Sequence, residues 1–326
     1  MCVLRSLSAL VSRLFMMENV SVGAILTLSG LNFPFAYRII LFALVLLCYL
    51  VILLSNFTII VVILADRKLH KPMYILLCNL CINAVYGSVG LYPKFLVDLL
   101  SSHVISYAGC MLQGFVIHSS NCCDFSILAL MAYDRYVALC RPLVYQSYMT
   151  RQRMSLFVFF SWFMPLFCMF TNTASILGKK LCGSHINRLY CVNQMVVSLI
   201  CSPPRSHTVI TWLNVAFYFF HFLFVCWSYG YLIKLCISST QMWKKFKQTC
   251  MPHVICLVIY TTTILLDLSY MRFGSTDVSQ HLNNFMAIEF LLIPPIFNPL
   301  IYGLQLTLIR NRIVGLFHSK KKIHSF

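Results

Sequence analysis

The sequence predicts an all-α membrane protein, a seven-transmembrane helix bundle with a short amphipathic eighth helix. Of the 326 residues, 60% are hydrophobic and only 10% are charged, whereas soluble domains carry about 25% charged residues. Apolar segments of the length that crosses about 30 Å of hydrocarbon recur along the whole chain. These seven segments are residues 36–64, 73–99, 107–139, 154–175, 207–236, 250–272 and 282–304.

Each apolar segment is predicted to be a helix, because lipid offers no hydrogen-bond partner to free backbone groups. A β-barrel would show alternating polarity in segments of about 10 residues, and that pattern is absent from the sequence. The spans leave no room for a second folded domain. We therefore divide the chain into an extracellular tail (1–35), the seven-transmembrane domain (36–304) and a cytoplasmic helix with tail (305–326).

The basic residues predict the orientation of the chain, because lysine and arginine concentrate in cytoplasmic loops. One set of loops and the C-terminal tail holds 16 of them, and the opposite set holds seven. The richer set is expected in the cytoplasm. An odd number of spans then places the N-terminus outside, in a multi-pass protein of the plasma membrane.

The N-terminal tail carries a glycosylation sequon at Asn19, on the side that the charge rule places outside. A second match at Asn56 lies within the first predicted span, and we expect it to be unmodified. Residues 1–16 are interpreted as an upstream extension, with a poor signal peptide as the alternative.

Residues 305–318 mix leucine, isoleucine and phenylalanine with Arg310 and Arg312. This composition is typical of a short amphipathic helix lying on the inner membrane surface. Membrane lipid is therefore an expected partner.

The formal net charge of +17 and the 16 cysteines do not by themselves indicate a nucleic-acid-binding or metal-binding protein. Strong positive charge can indicate nucleic-acid binding, but here it lies between apolar runs, as membrane orientation requires. No nucleic-acid partner is predicted. No Cys or His cluster has metal-ligand spacing, and no nucleophile has a plausible base. We expect no metal, no cofactor and no enzymatic activity.

The third span ends in MAYDRYVALCRPLVY (131–145), where Asp134 can pair with Arg135. Charges beside a membrane span are costly and usually functional, although a lone pair of this kind is more often a simple interfacial contact. The whole segment resembles the signature of odorant receptors, a family of rhodopsin-like G protein-coupled receptors. PMYILLCNL (72–80), KKFKQTCMPHV (244–254) and PPIFNPLIYG (294–303) resemble further family motifs in the same order.

The resemblance covers about residues 19–318 and is strongest to fish-type odorant receptors. It implies a small-molecule odorant as ligand and a heterotrimeric G protein of the olfactory stimulatory type as partner. It also implies a switch near the cytoplasm, in which tyrosines reach toward Arg135 on activation. The expected switch residues are Asp134, Arg135, Tyr136, Tyr229, Asn298, Pro299 and Tyr302.

The resemblance also implies two disulfides, Cys110 with Cys191 and Cys182 with Cys201. Each would restrict the loop above the ligand pocket. One position departs from the family of rhodopsin-like receptors. Ala84, with Asn83 beside it, stands where most members carry a sodium-binding aspartate, which puts sodium regulation in doubt.

The ligand is expected between the helices, where bundles form pockets with apolar walls and few polar groups. His118, Gln194 and Arg272 resemble residues by which some fish-type receptors hold a carboxylate, and arginine binds carboxylates through paired hydrogen bonds. A histidine satisfied within the bundle and an arginine that snorkels to the interface are the alternatives. The full candidate set is His118, Asn121, Cys122, Gln194, Asn214, Phe217, Ile264, Leu268, Arg272 and Leu291.

Other functions stay open at this point. The ligand could be a neutral or amine odorant, and the inner motifs alone also fit a non-olfactory rhodopsin-like receptor. A transporter or channel is less compatible with the sequence, because transporters tend to show paired broken helices and an internal repeat.

Overall fold

The computed structural model describes residues 24–29, 34–237, 239–273, 295–296, 301 and 309–312. Within its helices, the side chains of residues 245, 248–249, 252 and 266–273 are outside the described part.

Helices dominate the described chain, and they begin and end close to the predicted apolar segments. The helices are α1 (Phe35–Ala65), α2 (Pro72–Leu100), α3 (Tyr107–Cys140), α4 (Tyr145–Tyr148), α5 (Arg151–Ile176), α6 (Asn193–Ser198), α7 (Arg205–Ile237), α8 (Thr240–Thr249) and α9 (Met251–Phe273). Five of them, α1, α2, α3, α5 and α7, are long and apolar enough to cross a membrane. The helix predicted over 250–272 is α9, whereas the predicted span 282–304 and the predicted amphipathic helix 305–318 fall largely outside the described residues.

Local sequence chemistry explains where two of the helices start. The hydroxyl of Ser106 accepts a hydrogen bond from the Gly109 amide and so caps the start of α3. Thr150 caps α5 in the same way, through the Arg153 amide. Such caps satisfy amides that have no partner within the helix.

The sequence analysis missed a small β-sheet. The predicted tail contains strand β1 (Ile25–Leu28), which lies between β2 (Val104–Ser106) and β3 (His185–Ile186). β1 pairs antiparallel with β2 and parallel with β3. Leu26 and Leu28 are buried in this sheet region, so residues 25–28 pack against the rest of the fold.

α3 occupies the centre of the described bundle and contacts α2, α5, α7 and α9, while α1 packs on α2. Asn56 of α1 is fully buried and its amide donates to the Ile52 carbonyl at 2.8 Å. Burial of this side chain agrees with the expectation that the Asn56 sequon is unmodified.

α2 approaches α3 closely because glycine removes side-chain bulk from their contact. A Cβ atom on Gly87 would lie 2.3 Å from the Ser120 hydroxyl oxygen and 2.9 Å from its Cβ atom. A Cβ on Gly90 would lie 2.9 Å from the Val116 Cβ. Small residues at such crossings are typical of membrane helices, whose association depends on close packing.

We expect Gly87→Ala to lower the thermal stability of the purified protein, because the added methyl must push α2 away from α3. Overpacking of this kind costs roughly 1–3 kcal/mol. Gly230→Ala on α7 is the matched control, since a Cβ there meets no atom within 4 Å. Thermal unfolding in detergent is the measurement. Equal melting temperatures for both variants would contradict the close packing of α2 on α3.

Candidate functional site

Two disulfides mark one end of the bundle, here called the disulfide end. Cys110 at the start of α3 is bonded to Cys191 with an S–S distance of 2.03 Å, and Cys182 is bonded to Cys201 at 2.05 Å. The opposite end, called the Arg135 end, holds the Asp-Arg-Tyr segment of α3. The Cys110–Cys191 bond tethers the segment between α5 and α7 (residues 177–204) to α3, and the Cys182–Cys201 bond closes a loop within that segment.

Gln113 strengthens this tether one turn after Cys110. Its side-chain oxygen accepts from the Cys191 amide at 3.0 Å, and its side-chain nitrogen donates to the Gly90 carbonyl at 3.2 Å. The side chain is buried and both halves of its amide are used. Gln113 therefore holds the tethered segment, α3 and α2 together, a role that the sequence analysis did not assign.

The tethered segment turns Asn193 into the bundle rather than Gln194. Asn193 is buried and its amide donates to the Thr173 hydroxyl at 3.0 Å, whereas Gln194 of α6 is exposed. The close approach depends on Gly114, because a Cβ there would lie 2.7 Å from the Asn193 side-chain oxygen. Gln194 thus lies beside the predicted position, on the outer side of α6.

Asn193 belongs to a polar network between α5 and α7 that the sequence analysis missed. Asn172 donates to the Thr211 hydroxyl at 3.0 Å, and the Ser175 hydroxyl lies 3.0 Å from the buried ring of His207. His207, Thr211 and the predicted ligand residue Asn214 recur at helical spacing along one stripe of α7. Such a polar stripe in an otherwise apolar helix was the available signal.

Six of the described ligand candidates are half-buried residues of α3, α7 and α9. His118, Asn121 and Cys122 are half-buried on α3, Asn214 and Phe217 are half-buried on α7, and Ile264 is half-buried on α9. The Asn214 amide donates to the Cys168 carbonyl of α5 at 3.3 Å, so it also joins α7 to α5. The backbones of Leu268 and Arg272 continue α9, but their side chains lie outside the described residues, as does all of Leu291.

An aromatic cluster lies immediately below these residues, toward the Arg135 end. Phe125 of α3 packs against Tyr218 and His221 of α7 and stacks on Tyr260 of α9, with ring centroids 6.1–6.4 Å apart. The Tyr260 hydroxyl donates to the Asn121 carbonyl. Aromatic pairs at such distances contribute beyond their buried area. The cluster therefore joins three helices below the candidate ligand region.

A buried carboxylate, which the sequence analysis also missed, lies between α2 and α3. The Asn83 amide donates to the Asp124 carboxylate and to the Ser120 carbonyl, both at 2.7 Å. Asn83 is fully buried and Asp124 is 6% exposed. Asn83 is the neighbour of Ala84, the position that departs from most rhodopsin-like receptors. Its side chain donates hydrogen bonds across the contact between α2 and α3, one of them to the Asp124 carboxylate.

The Arg135 end contains a buried, hydrogen-bonded ion pair. Arg135 donates to the carboxylate of Asp134 through Nε at 3.0 Å and through a terminal nitrogen, and Asp134 is 1% exposed. The hydroxyl of Tyr145, on the short helix α4, donates to the other carboxylate oxygen at 2.6 Å. Burial and the neighbouring Asp134 carboxylate raise the pKa of Tyr145, so this hydroxyl keeps its proton and remains a donor.

Two other predicted switch residues, Tyr229 and Tyr136, have different environments. Tyr229 of α7 is buried within the electrostatic reach of Arg135, and its hydroxyl has no hydrogen-bond partner among the described residues. Tyr136 instead packs against Trp227 and Tyr231 of α7, with ring centroids 5.6 and 5.7 Å away. A buried hydroxyl without a partner is costly, which leaves Tyr229 suited to a rearrangement that gives it one.

Four further predicted site residues are not among the residues that the structure describes. Asn298, Pro299 and Tyr302, predicted for the switch, and Asn19, predicted for glycosylation, lie outside the described residues. An ion pair at the Arg135 end connects the C-terminal part of the chain with the residues that follow α1. Arg312 Nε lies 2.7 Å from the Asp66 carboxylate, which connects the residues after α1 with residues 309–312.

The fold and site define a multi-pass helical membrane protein with a disulfide-tethered segment at one end and a buried arginine–aspartate pair at the other. Comparison with known families assigns it further. The profile of the olfactory receptor family matches residues 45–320. The chain belongs to the olfactory receptor family, whose members are G protein-coupled receptors of olfaction rather than enzymes.

Individual relatives agree with the family assignment. The chain is 31% identical to Olfactory receptor 6E1 of Mus musculus over 283 residues, which cover 85% of this chain and 90% of the relative. It is 32% identical to human Olfactory receptor 52D1 over 280 residues, covering 84% and 87%. Olfactory receptor 3A3 of Pan troglodytes is 32% identical over 289 residues, covering 87% and 91%. The resemblance to fish-type receptors stays a prediction.

Proposed function

We propose that this protein is an odorant receptor with seven spans, an outer N-terminus and an inner eighth helix. It binds a small odorant between α3, α7 and α9 and activates a heterotrimeric G protein of the olfactory stimulatory type. The observation that carries the proposal is the buried Asp134–Arg135 pair with Tyr145 on its carboxylate. Such a pair holds the arginine within the bundle until a rearrangement releases it.

The orientation is supported from both ends of the bundle. Disulfides form in oxidising compartments, so the end that carries Cys110–Cys191 and Cys182–Cys201 is the outer one. The Arg135 end is then cytoplasmic, in agreement with the excess of lysine and arginine in the loops there. This orientation puts the ligand region within reach of external odorants and Arg135 within reach of the G protein.

We propose further that the odorant carries a carboxylate held by Arg272 and His118. We do not include Gln194 among the residues that contact the carboxylate, because its side chain is exposed on α6. The polar network around Asn193, His207 and Thr211 favours a second candidate, a neutral ligand with hydrogen-bonding groups. The two candidates differ in whether binding requires a cationic side chain.

We expect Arg272→Ala to abolish responses to short-chain carboxylic acids, because a paired, charge-assisted contact would be lost. Cyclic AMP is measured in cells that express the receptor and an olfactory G protein, with surface protein quantified in parallel. Arg205→Ala is the matched control, an exposed arginine at the same end of the bundle. An unchanged acid response in Arg272→Ala would exclude the carboxylate site and favour the neutral ligand.

A further inference from the structure

A groove of about 450 Å³ lies between α3, α5 and α7. Its volume falls within the range of about 300–1,000 Å³ that small-molecule sites occupy. Aromatic side chains form most of its walls, among them Tyr133, Phe157, Phe160 and Phe220. It is therefore large enough for one small ligand.

The groove opens to the outside of the bundle rather than to its interior. Phe160 and Phe220 on its rim are 47% and 67% exposed. α5 and α7 are long and apolar enough to span a membrane, so we infer that the exposed phenylalanines along them face hydrocarbon. An occupant would enter from the membrane, below the proposed odorant region, with which the groove shares only Phe217 among the described candidate residues.

His221 is one of the polar residues that line this groove, and it distinguishes the groove from a plain gap filled by lipid chains. Its Nδ1 lies 2.9 Å from the Phe217 carbonyl. Because a carbonyl can only accept, Nδ1 carries the proton, and in the neutral ring Nε2 is then an acceptor. Nε2 is the nitrogen left to meet an occupant of the groove that His221 lines.

Ser161 adds a second acceptor on the facing helix. Its hydroxyl donates to the Val158 carbonyl at 2.8 Å, so its oxygen can still accept from a ligand in the groove that it lines. A lipid acyl chain has no donor for either acceptor, and unsatisfied polar groups are costly in hydrocarbon. An aromatic ring suits walls of this kind, because aromatic pairs prefer offset or edge-to-face contacts.

We propose that this groove is a second, membrane-facing binding site for a small lipophilic phenol whose hydroxyl donates to His221 Nε2. The occupant would touch the aromatic cluster directly. The His221 ring lies 4.4 Å from Phe217 and 6.4 Å from Phe125, and Phe125 stacks on Tyr260 of α9. Given the proposed receptor function, a phenol in the groove would shift the activation equilibrium by its differential affinity for the two states.

The test measures equilibrium binding of radiolabelled 4-propylphenol to the purified full chain in lipid nanodiscs, with empty nanodiscs subtracted. The matched probe is 4-propylanisole, which has the same ring and chain without the hydroxyl donor. We expect the phenol to bind about tenfold more tightly than the anisole, as one buried hydrogen bond provides. This comparison requires no variant to fold and no G protein, so its outcome is independent of the proposed coupling.

Variants locate the site. His221→Phe should remove the preference for the phenol, and His221→Gln should restore part of it, because glutamine retains an acceptor. His118→Phe, which alters the proposed odorant region, should leave the preference unchanged. Equal binding of both probes to the unmodified chain would overturn the proposal. Loss of the preference in His118→Phe with retention in His221→Phe would also overturn it, by placing the phenol within the bundle.

Discussion

Replacing Cys110 with serine is expected to reduce receptor at the cell surface at least tenfold and to abolish signalling. The Cys110–Cys191 bond joins positions 81 residues apart, and both cysteines are buried. In the chain-entropy account, a closed loop of this length is worth roughly 4–5 kcal/mol. The same substitution also loosens the Cys191 amide, to which Gln113 is hydrogen-bonded.

Loss of the second disulfide is expected to reduce surface receptor less than loss of the first. Cys182–Cys201 joins positions only 19 residues apart, and the same account assigns it roughly 3 kcal/mol. Cys182→Ser should therefore lose less surface receptor than Cys110→Ser. Cys226→Ser is the control, because Cys226 is a free cysteine on an exposed part of α7. Flow cytometry of a surface-tagged receptor measures all three, and a normal level for Cys110→Ser would contradict the role assigned to the tether.

Arg135→Ala is expected to abolish ligand-evoked cyclic AMP, whereas Asp134→Asn should raise basal cyclic AMP. The first variant removes the cation proposed to meet the G protein. The second removes the negative charge that holds Arg135 in the bundle, and hydrogen bonds to charged groups contribute roughly 1.5–3 kcal/mol. Loss of that restraint would shift the resting equilibrium about tenfold or more toward the active state.

Tyr145→Phe gives an intermediate case, because it removes one donor from Asp134 but leaves the ion pair. We expect a rise in basal cyclic AMP of a few fold, smaller than that of Asp134→Asn. Arg151→Ala is the matched control, an exposed arginine at the same end. Signals are normalised to surface receptor. Unchanged basal activity in both Asp134→Asn and Tyr145→Phe would show that the pair does not restrain activation.

Hydropathy and charge, which are properties of local sequence, predicted much of the architecture. The predicted segments 107–139 and 207–236 correspond to α3 and α7, with shifts of at most two residues at each end. Helices can be located in this way because each apolar run must satisfy its own backbone within the membrane. The family resemblance added what periodicity could not, the pairing of Cys110 with Cys191.

The small β-sheet could not be predicted from local sequence. Ile25–Leu28 has no partner nearby in sequence and forms a strand because residues 104–106 and 185–186 lie on either side of it. Asn193 and Gln194 are neighbours of similar chemistry, and only the path of the tethered segment decides which one faces inward. Gly114 permits that path by leaving room for the Asn193 side chain.

The sequence by itself determined the class of this protein, the positions of its described spans and the Asp-Arg-Tyr segment, because each depends on composition and order within a short stretch. Only the tertiary structure decided which polar groups meet. Asn83 with Asp124, Tyr145 with Asp134, and His221 at the edge of an aromatic groove are each set by packing between helices. Such contacts join residues distant in sequence, so no local pattern of hydrophobicity or charge specifies them.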